Sequence, residues 1–366
     1  MKVSVARGEL LEALSTVSRG LSSRTTLPIL SGIHVSTHGD TVMFQATDLE
    51  VSIRTSCRAR IDEPGVSVVT GRLLTDIVRS LPESAVTIET SPAGSATITC
   101  GQSSFTIKTL NPDDYPKFPE ISAESTVSLP AEMFSRVVHQ VSKAVSRDET
   151  RPILTGILVV VENGSLRMVA TDSYRLCIRE VATEGVQGDL ELVVPGKALE
   201  DVAKLAGSTD AISLGVADNQ VIFTFGGTTF VSRRIEGTFP NYRQLLPKEH
   251  TTRAVVDRAE LLEAVKRVSL MAQHGAPLRV KVSAVDHTLT LSASTQDFGD
   301  ATEDIQVTPE GEDVEIAFNH TYLADGVSIA EGDSVAIEVT SPLKPGVLKP
   351  VGDEGFVYLL MPVRLG

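Results

Sequence analysis

The chain has 366 residues, 42% of them hydrophobic and 22% charged; that is too long for one ordinary core and too apolar for a disordered chain, so two or three folded domains are expected. Its 33 basic residues face 47 acidic ones, a formal net charge of -14, which argues against a protein that coats nucleic acid over its whole surface. Aromatic residues make up 4% and tryptophan is absent, which argues against a single-strand binder built on stacking platforms.

From the N-terminus, Lys2, Arg7 and Glu9 interrupt any apolar run long enough for an export signal. Residues 7–14 then place apolar side chains at helical spacing, with charges on the opposite face. A proline-led strand is predicted from Leu27-Pro28-Ile29-Leu30-Ser31-Gly32-Ile33. It is followed by Gln45-Ala46-Thr47-Asp48, by a second helix over 72–78, and by two alternating strand runs over 96–100 and 104–108. A segment near 113–128 reads as an ordered linker, and it and a later one near 239–252 are together rich in Pro, Asp and Asn.

The same order then returns. Residues 131–138 repeat the first helix, Arg151-Pro152-Ile153-Leu154-Thr155-Gly156-Ile157 repeats the proline-led strand, Val169-Ala170-Thr171-Asp172 repeats the Thr-Asp pair, and 197–203 repeats the second helix. After a linker near 239–252, a weaker third copy runs through 258–265, Ala276-Pro277-Leu278-Arg279, Thr295-Gln296-Asp297 and a helix over 320–325. The period is about 124 residues, too long for a solenoid, so each copy is expected to have its own core. The reading is an α+β fold of three tandem repeats, each with two helices packed on antiparallel sheets, with boundaries at 1–120, 126–248 and 250–366.

Chemistry for catalysis has no positive signal. Gly196-Lys197 lacks the first glycine of a phosphate loop, since Glu191 stands there, and no histidine sits in a metal-binding spacing. The Thr-Asp pairs at Asp48 and Asp172 read as turn caps because they recur at one place in successive repeats. Cys57, Cys100 and Cys177 are too scattered for a zinc site or disulfide framework and read as reduced thiols, Cys100 and Cys177 as buried and inert ones. The longest aliphatic run, 157–161, is too short to span a membrane. Charge is uneven: most helical segments are balanced or weakly positive, as in 7–24 with Arg7, Arg19 and Arg24 against Glu9 and Glu12, while strands and loops carry the acid.

Several motifs resemble the beta subunits of bacterial DNA polymerase III, the replicative sliding clamps. They are Arg24-Thr25-Thr26-Leu27-Pro28-Ile29-Leu30, Val169-Ala170-Thr171-Asp172 with Arg175-Leu176, Glu236-Gly237-Thr238-Phe239-Pro240-Asn241-Tyr242-Arg243, Leu246-Pro247, and the terminal Met361-Pro362-Val363-Arg364-Leu365. The resemblance runs the length of the chain. It implies a non-catalytic, cofactor-free and metal-free processivity subunit with the DNA clamp fold: a head-to-tail homodimer forming a ring, helices lining the hole, which slides on duplex DNA without reading sequence.

By position, the resemblance implies duplex-DNA contacts at Arg24, Arg72, Arg151 and Lys197. It implies a hydrophobic pocket for a short peptide at Leu154, Thr171, Ser173, Tyr174, Arg175, Leu176, Pro240, Gln244, Leu245, Asn319, Tyr322, Leu343, Leu359, Met361, Pro362, Val363 and Arg364. Expected partners are the clamp loader, the replicative DNA polymerase alpha subunit, and other polymerases and repair proteins carrying a clamp-binding peptide, in the bacterial cytoplasm at the nucleoid. The dimer seam is expected where Phe105 and Ile107 of an edge strand meet Leu270 and Met271, with Asp297, Asp300, Glu303 and Asp304 facing Lys108 and Arg72 or Arg79. The alternative is a protein-binding scaffold that does not encircle DNA.

Overall fold

A computed structural model describes residues 1–22, 26–119, 125–183, 189–272, 276–296 and 298–364. Among the described residues there are six α-helices, two per repeat, and every strand pairing is antiparallel. The helices are α1 (Arg7–Val17), α2 (Gly71–Ser80), α3 (Ala131–Ser142), α4 (Gly196–Leu205), α5 (Arg258–Val268) and α6 (His320–Ile329). Each starts where helical spacing begins. In α2, Leu74, Ile77 and Val78 are buried while Arg72, Asp76 and Arg79 face out. Asp257 caps α5 by accepting from the Glu260 amide at 2.8 Å.

Strands follow the same logic with period two. β3 (Thr41–Thr47) and β8 (Ser95–Cys100) alternate buried and half-buried positions. β11 (Gly156–Glu162) has six buried residues in a row before Glu162, because both of its faces are covered.

Two details differ from the sequence reading. The proline-led segments are 3-10 turns, Pro28–Ser31 and Pro152–Thr155, and the strands β2 (Gly32–His38) and β11 begin only at the glycine. Proline lacks the amide a ladder needs and sits naturally at the first position of a turn. The glycine is required by close packing: a Cβ on Gly32 would stand 2.4 Å from Val68 Cγ1, and one on Gly156 2.4 Å from Val193 Cγ1. Each repeat also ends in three strands rather than two, as in β7 (Ala85–Ser91), β8 and β9 (Ser103–Leu110).

The chain divides into two compact units, Met1–Ser135 with Asp201–Arg234, and Arg136–Glu200 with Ile235–Gly366. The first is built on a 13-stranded sheet in which β4 (Val51–Arg58) of the first repeat pairs with β17 (Thr228–Arg233) of the central one. Arg19, in the 3-10 turn that follows α1, meets Asp201 on α4 at 2.6 Å in the same unit. The second unit holds a nine-stranded sheet in which β13 (Arg175–Ala182) pairs with β26 (Phe356–Leu360), and a four-stranded sheet of β19 (Leu278–Ser283), β20 (Thr288–Thr295), β21 (Gly299–Gln306) and β23 (Val314–Phe318). Sheets therefore run from one repeat into the next. Among the described residues no helix is long and apolar enough to cross a membrane.

Candidate functional site

The turn between β12 (Ser165–Thr171) and β13 organises the second unit's candidate pocket. Asp172 Oδ1 accepts from the amides of Tyr174 and Arg175, both at 2.9 Å, while Thr171 Oγ1 donates to the Arg175 carbonyl at 2.7 Å. Ser173 takes φ +79° at the tip, a left-handed conformation that a non-glycine residue holds only when its neighbours enforce it. The first repeat builds the same turn: Asp48 Oδ1 accepts from Glu50 and Val51, Thr47 Oγ1 donates to the Val51 carbonyl, and Leu49 has φ +77°. Both Thr-Asp pairs are turn caps, as their repetition predicted. The third counterpart, Asp297, lies outside the described residues.

Behind the turn, Arg175 is held on several sides. Its Nε lies 3.0 Å from Asp172 Oδ2, its Nη1 is 2.6 Å from Asp325 Oδ2 and 3.2 Å from the Tyr358 hydroxyl, and its guanidinium sits 4.3 Å from the centre of the Tyr322 ring. Burial opposes this charge, yet Tyr358 and Asp325 outweigh it and hold the Arg175 pKa above its ordinary value. Tyr358 donates to the Tyr322 carbonyl at 3.1 Å, and burial pushes its own phenol well up. Tyr174, 60% exposed, stacks on Tyr322 with centroids 6.4 Å apart.

Every residue assigned to the peptide pocket falls in the second unit. Leu154, Thr171, Leu176 and Leu359 are buried, the last two as ladder partners. Leu343, Leu245 and Met361 keep large apolar surfaces in solvent, as Tyr174 does, and Pro240, Gln244 and Arg364 are exposed beside half-buried Pro362 and Val363. The terminal run is docked by backbone: Met361 donates to the Tyr174 carbonyl and Val363 to the Ala317 carbonyl, each at 2.8 Å. Asn319 caps α6 by accepting from Thr321 and Tyr322. Sequence reasoning did not find Asp325, Tyr358 or Lys143, whose Nζ is 3.7 Å from Asp325 Oδ1. Asp325 is 150 residues from Arg175, so no local spacing could signal the pair.

The candidate DNA contacts are differently placed. Arg24 lies outside the described residues. Arg72 and Lys197 are exposed at the second position of α2 and α4, each after a buried glycine. Arg151 is exposed and bonded locally: its Nε lies 2.9 Å from Asp148 Oδ2 and its Nη1 donates to Ser173 Oγ at 2.9 Å, on the pocket turn. Bonds from Thr150, and then from Arg151, keep the Asp148 carboxyl below its ordinary range.

For the seam, Phe105 and Leu270 are exposed and Ile107 and Met271 half-buried. β9 pairs with β8 along its length but with β6 (Val66–Thr70) only at Leu110 and Thr109, so residues 103–108 have one edge without a strand neighbour among the described residues. β21 is likewise the outer strand of its sheet. Within the acidic cluster, Glu303 is paired in its own chain with Arg267 at 2.5 Å and Asp304 accepts from Thr290 at 2.5 Å; Arg79 is held by Asp76 at 2.9 Å.

A threefold α+β repeat whose sheets continue across the repeat junctions defines the sliding-clamp class of folds. The N-terminal, central and C-terminal domain models of the DNA polymerase III beta subunit match residues 1–119, 128–241 and 243–364. Two beta sliding clamps, from Streptomyces coelicolor and Staphylococcus aureus, are 37% identical over 378 residues and 32% over 374, covering all of this chain and 100% and 99% of theirs. The Bacillus subtilis DNA polymerase sliding clamp superposes with a TM-score of 0.95 at 30% identity, and a Pseudomonas aeruginosa sliding clamp bound to griselimycin with 0.94 at 28%, each covering both chains completely. The chain belongs to the DNA polymerase III beta subunit family, whose role is that of a processivity clamp.

Proposed function

We propose that this chain closes with a second copy, head to tail, into a ring that encircles duplex DNA and tethers the replicative polymerase and other partners through peptides bound at the Tyr174–Arg175 pocket. The repeats at 1–120, 126–248 and 250–366 act as three domains, and the protein works in the bacterial cytoplasm on the nucleoid. One observation carries the reading. The strand after the Thr-Asp turn of one repeat pairs with the last strand of the next, as β4 with β17 and β13 with β26. The third repeat's equivalent, β21, is an outer strand of its sheet, and the first repeat's equivalent, β9, has residues 103–108 without a strand neighbour on one edge among the described residues. Pairing them between copies continues the pattern and covers both of these edges.

A ring needs no tight grip on DNA. Arg72 and Lys197 at exposed helix starts supply weak, sequence-independent phosphate attraction, and the acidic remainder of the chain limits binding elsewhere. The pocket's apolar walls suit a peptide carrying leucine and phenylalanine, and the griselimycin bound to the Pseudomonas clamp is consistent with a ligand-binding surface in this fold.

The test is retention on nicked circular DNA after loading by a cognate clamp loader with ATP. Coelution with the circle and loss upon linearisation supports encirclement. Retention on both forms makes ordinary affinity the explanation, and binding to neither, with the loader active on a control clamp, leaves a protein-binding scaffold.

A further inference from the structure

Asp325 turns its two oxygens to two different cations. Oδ2 is 2.6 Å from Arg175 Nη1 and Oδ1 is 3.7 Å from Lys143 Nζ. The Arg175 side chain is 11% exposed and that of Lys143 44%, so one carboxylate joins an enclosed cation of the pocket to a cation standing in solvent just beyond α3. Asp172 is the other carboxylate on Arg175, at 3.0 Å. Asp172, Asp325, Arg175 and Lys143 together are neutral. Arg175 is engaged by two carboxylates and the Tyr358 hydroxyl, so the net charge of the group around it depends on whether Lys143 is in place.

We propose that Lys143 and Asp325, neither of which is part of the peptide-contact surface described above, set the charge preference of the pocket. With Lys143 on Asp325 the floor is balanced. Without the lysine charge it is negative and favours a peptide with basic flanks; without the aspartate charge it is positive and favours one with acidic flanks. The proposal rests on the pocket reading given above. It assigns both residues a positioning role, acting through Arg175 rather than by touching the ligand.

The experiment uses the full-length protein and one labelled peptide from the cognate polymerase's clamp-binding segment, made in two versions with flanking glutamates or flanking lysines. Fluorescence anisotropy gives Kd for each version on wild type, Lys143→Gln and Asp325→Asn. The readout is the ratio of the two Kd values, in which general loosening of the site cancels. Lys143→Gln is expected to shift the ratio about two- to five-fold toward the lysine-flanked peptide and Asp325→Asn by a similar factor the other way, the range typical of partly exposed charge pairs, with both shifts shrinking in high salt. An unchanged ratio, or shifts in the same direction, with both peptides still bound, overturns the proposal and leaves the pocket standing. Failure of wild type to bind either peptide overturns the pocket reading itself.

Discussion

Ile53 of the first repeat lies opposite Phe230 of the central repeat in the β4–β17 ladder, and both side chains are fully buried. The junction between repeats is thus core, with Phe230 also packed edge-on against Phe223 at 6.2 Å. Truncating it leaves a cavity inside a sheet. Phe230→Ala should cost about 3–5 kcal/mol, visible as a lower denaturant midpoint; a change under about 1 kcal/mol would mean the junction tolerates repacking.

The seam prediction is different in kind, because Phe105 and Leu270 are exposed in the single chain. Phe105→Asp with Leu270→Asp should yield a monomer of unchanged circular dichroism and similar melting temperature, read by sedimentation velocity. A dimer that survives both changes would move the interface away from β9 and β21.

Arg72→Ala with Lys197→Ala removes two exposed charges that make no ion pair among those found in the described residues. Retention on nicked circles should shorten and its salt dependence flatten, while peptide affinity and dimerisation stay as in wild type. Arg151→Ala should behave otherwise: since Arg151 bonds Asp148 and Ser173, its loss should weaken peptide binding more than DNA retention. Equal effects of the two sets on retention would return Arg151 to the DNA-facing group.

The Arg167–Glu180 pair supplies a pH test. Two bonds from Arg167, at 2.7 and 3.1 Å, outweigh burial and hold the Glu180 carboxyl below its ordinary value. A carboxyl whose pKa is lower folded than unfolded stabilises the native state above the unfolded value, near 4.5, and loses that contribution as pH falls through the folded value. Glu180→Gln should therefore destabilise by up to about 1 kcal/mol at neutral pH, given its partial exposure. The deficit should shrink below pH 4.5, and a deficit constant down to pH 3 would show that charge is not its cause.

Thiol reactivity gives the last check. Burial, and then the nearby Glu9 charge, push the Cys57 thiol up to about 11, and burial pushes Cys177 up as well. Native protein at pH 8 should react slowly with a thiol reagent at both positions and quickly once unfolded. Rapid native labelling of Cys57 would indicate local opening of β4.

Much of this molecule is written in local pattern. Helical spacing marked all six helices to within a few residues, and the 124-residue recurrence of Leu-Pro-Ile-Leu and Thr-Asp marked equivalent places whose structures match, down to the positive φ at Leu49 and Ser173. Those features depend on side-chain alternation, proline geometry and Asx turns, all of which act within a few residues. The proline-led strand misread the start of β2 and β11 because a missing amide and a Cβ-excluding neighbour are facts of packing.

What the sequence determined by itself, then, is the threefold repeat, its helices and turns, and through its motifs the family. The tertiary structure alone decided that β4 meets β17 and β13 meets β26, that β9 and β21 keep free edges, that Arg151 turns to Ser173, and that Asp325 stands between Arg175 and Lys143. Each of these is a choice among partners distant in the chain, and the chain's local preferences are nearly indifferent to it; only the packed sheets and the cost of leaving buried charges unpaired select one.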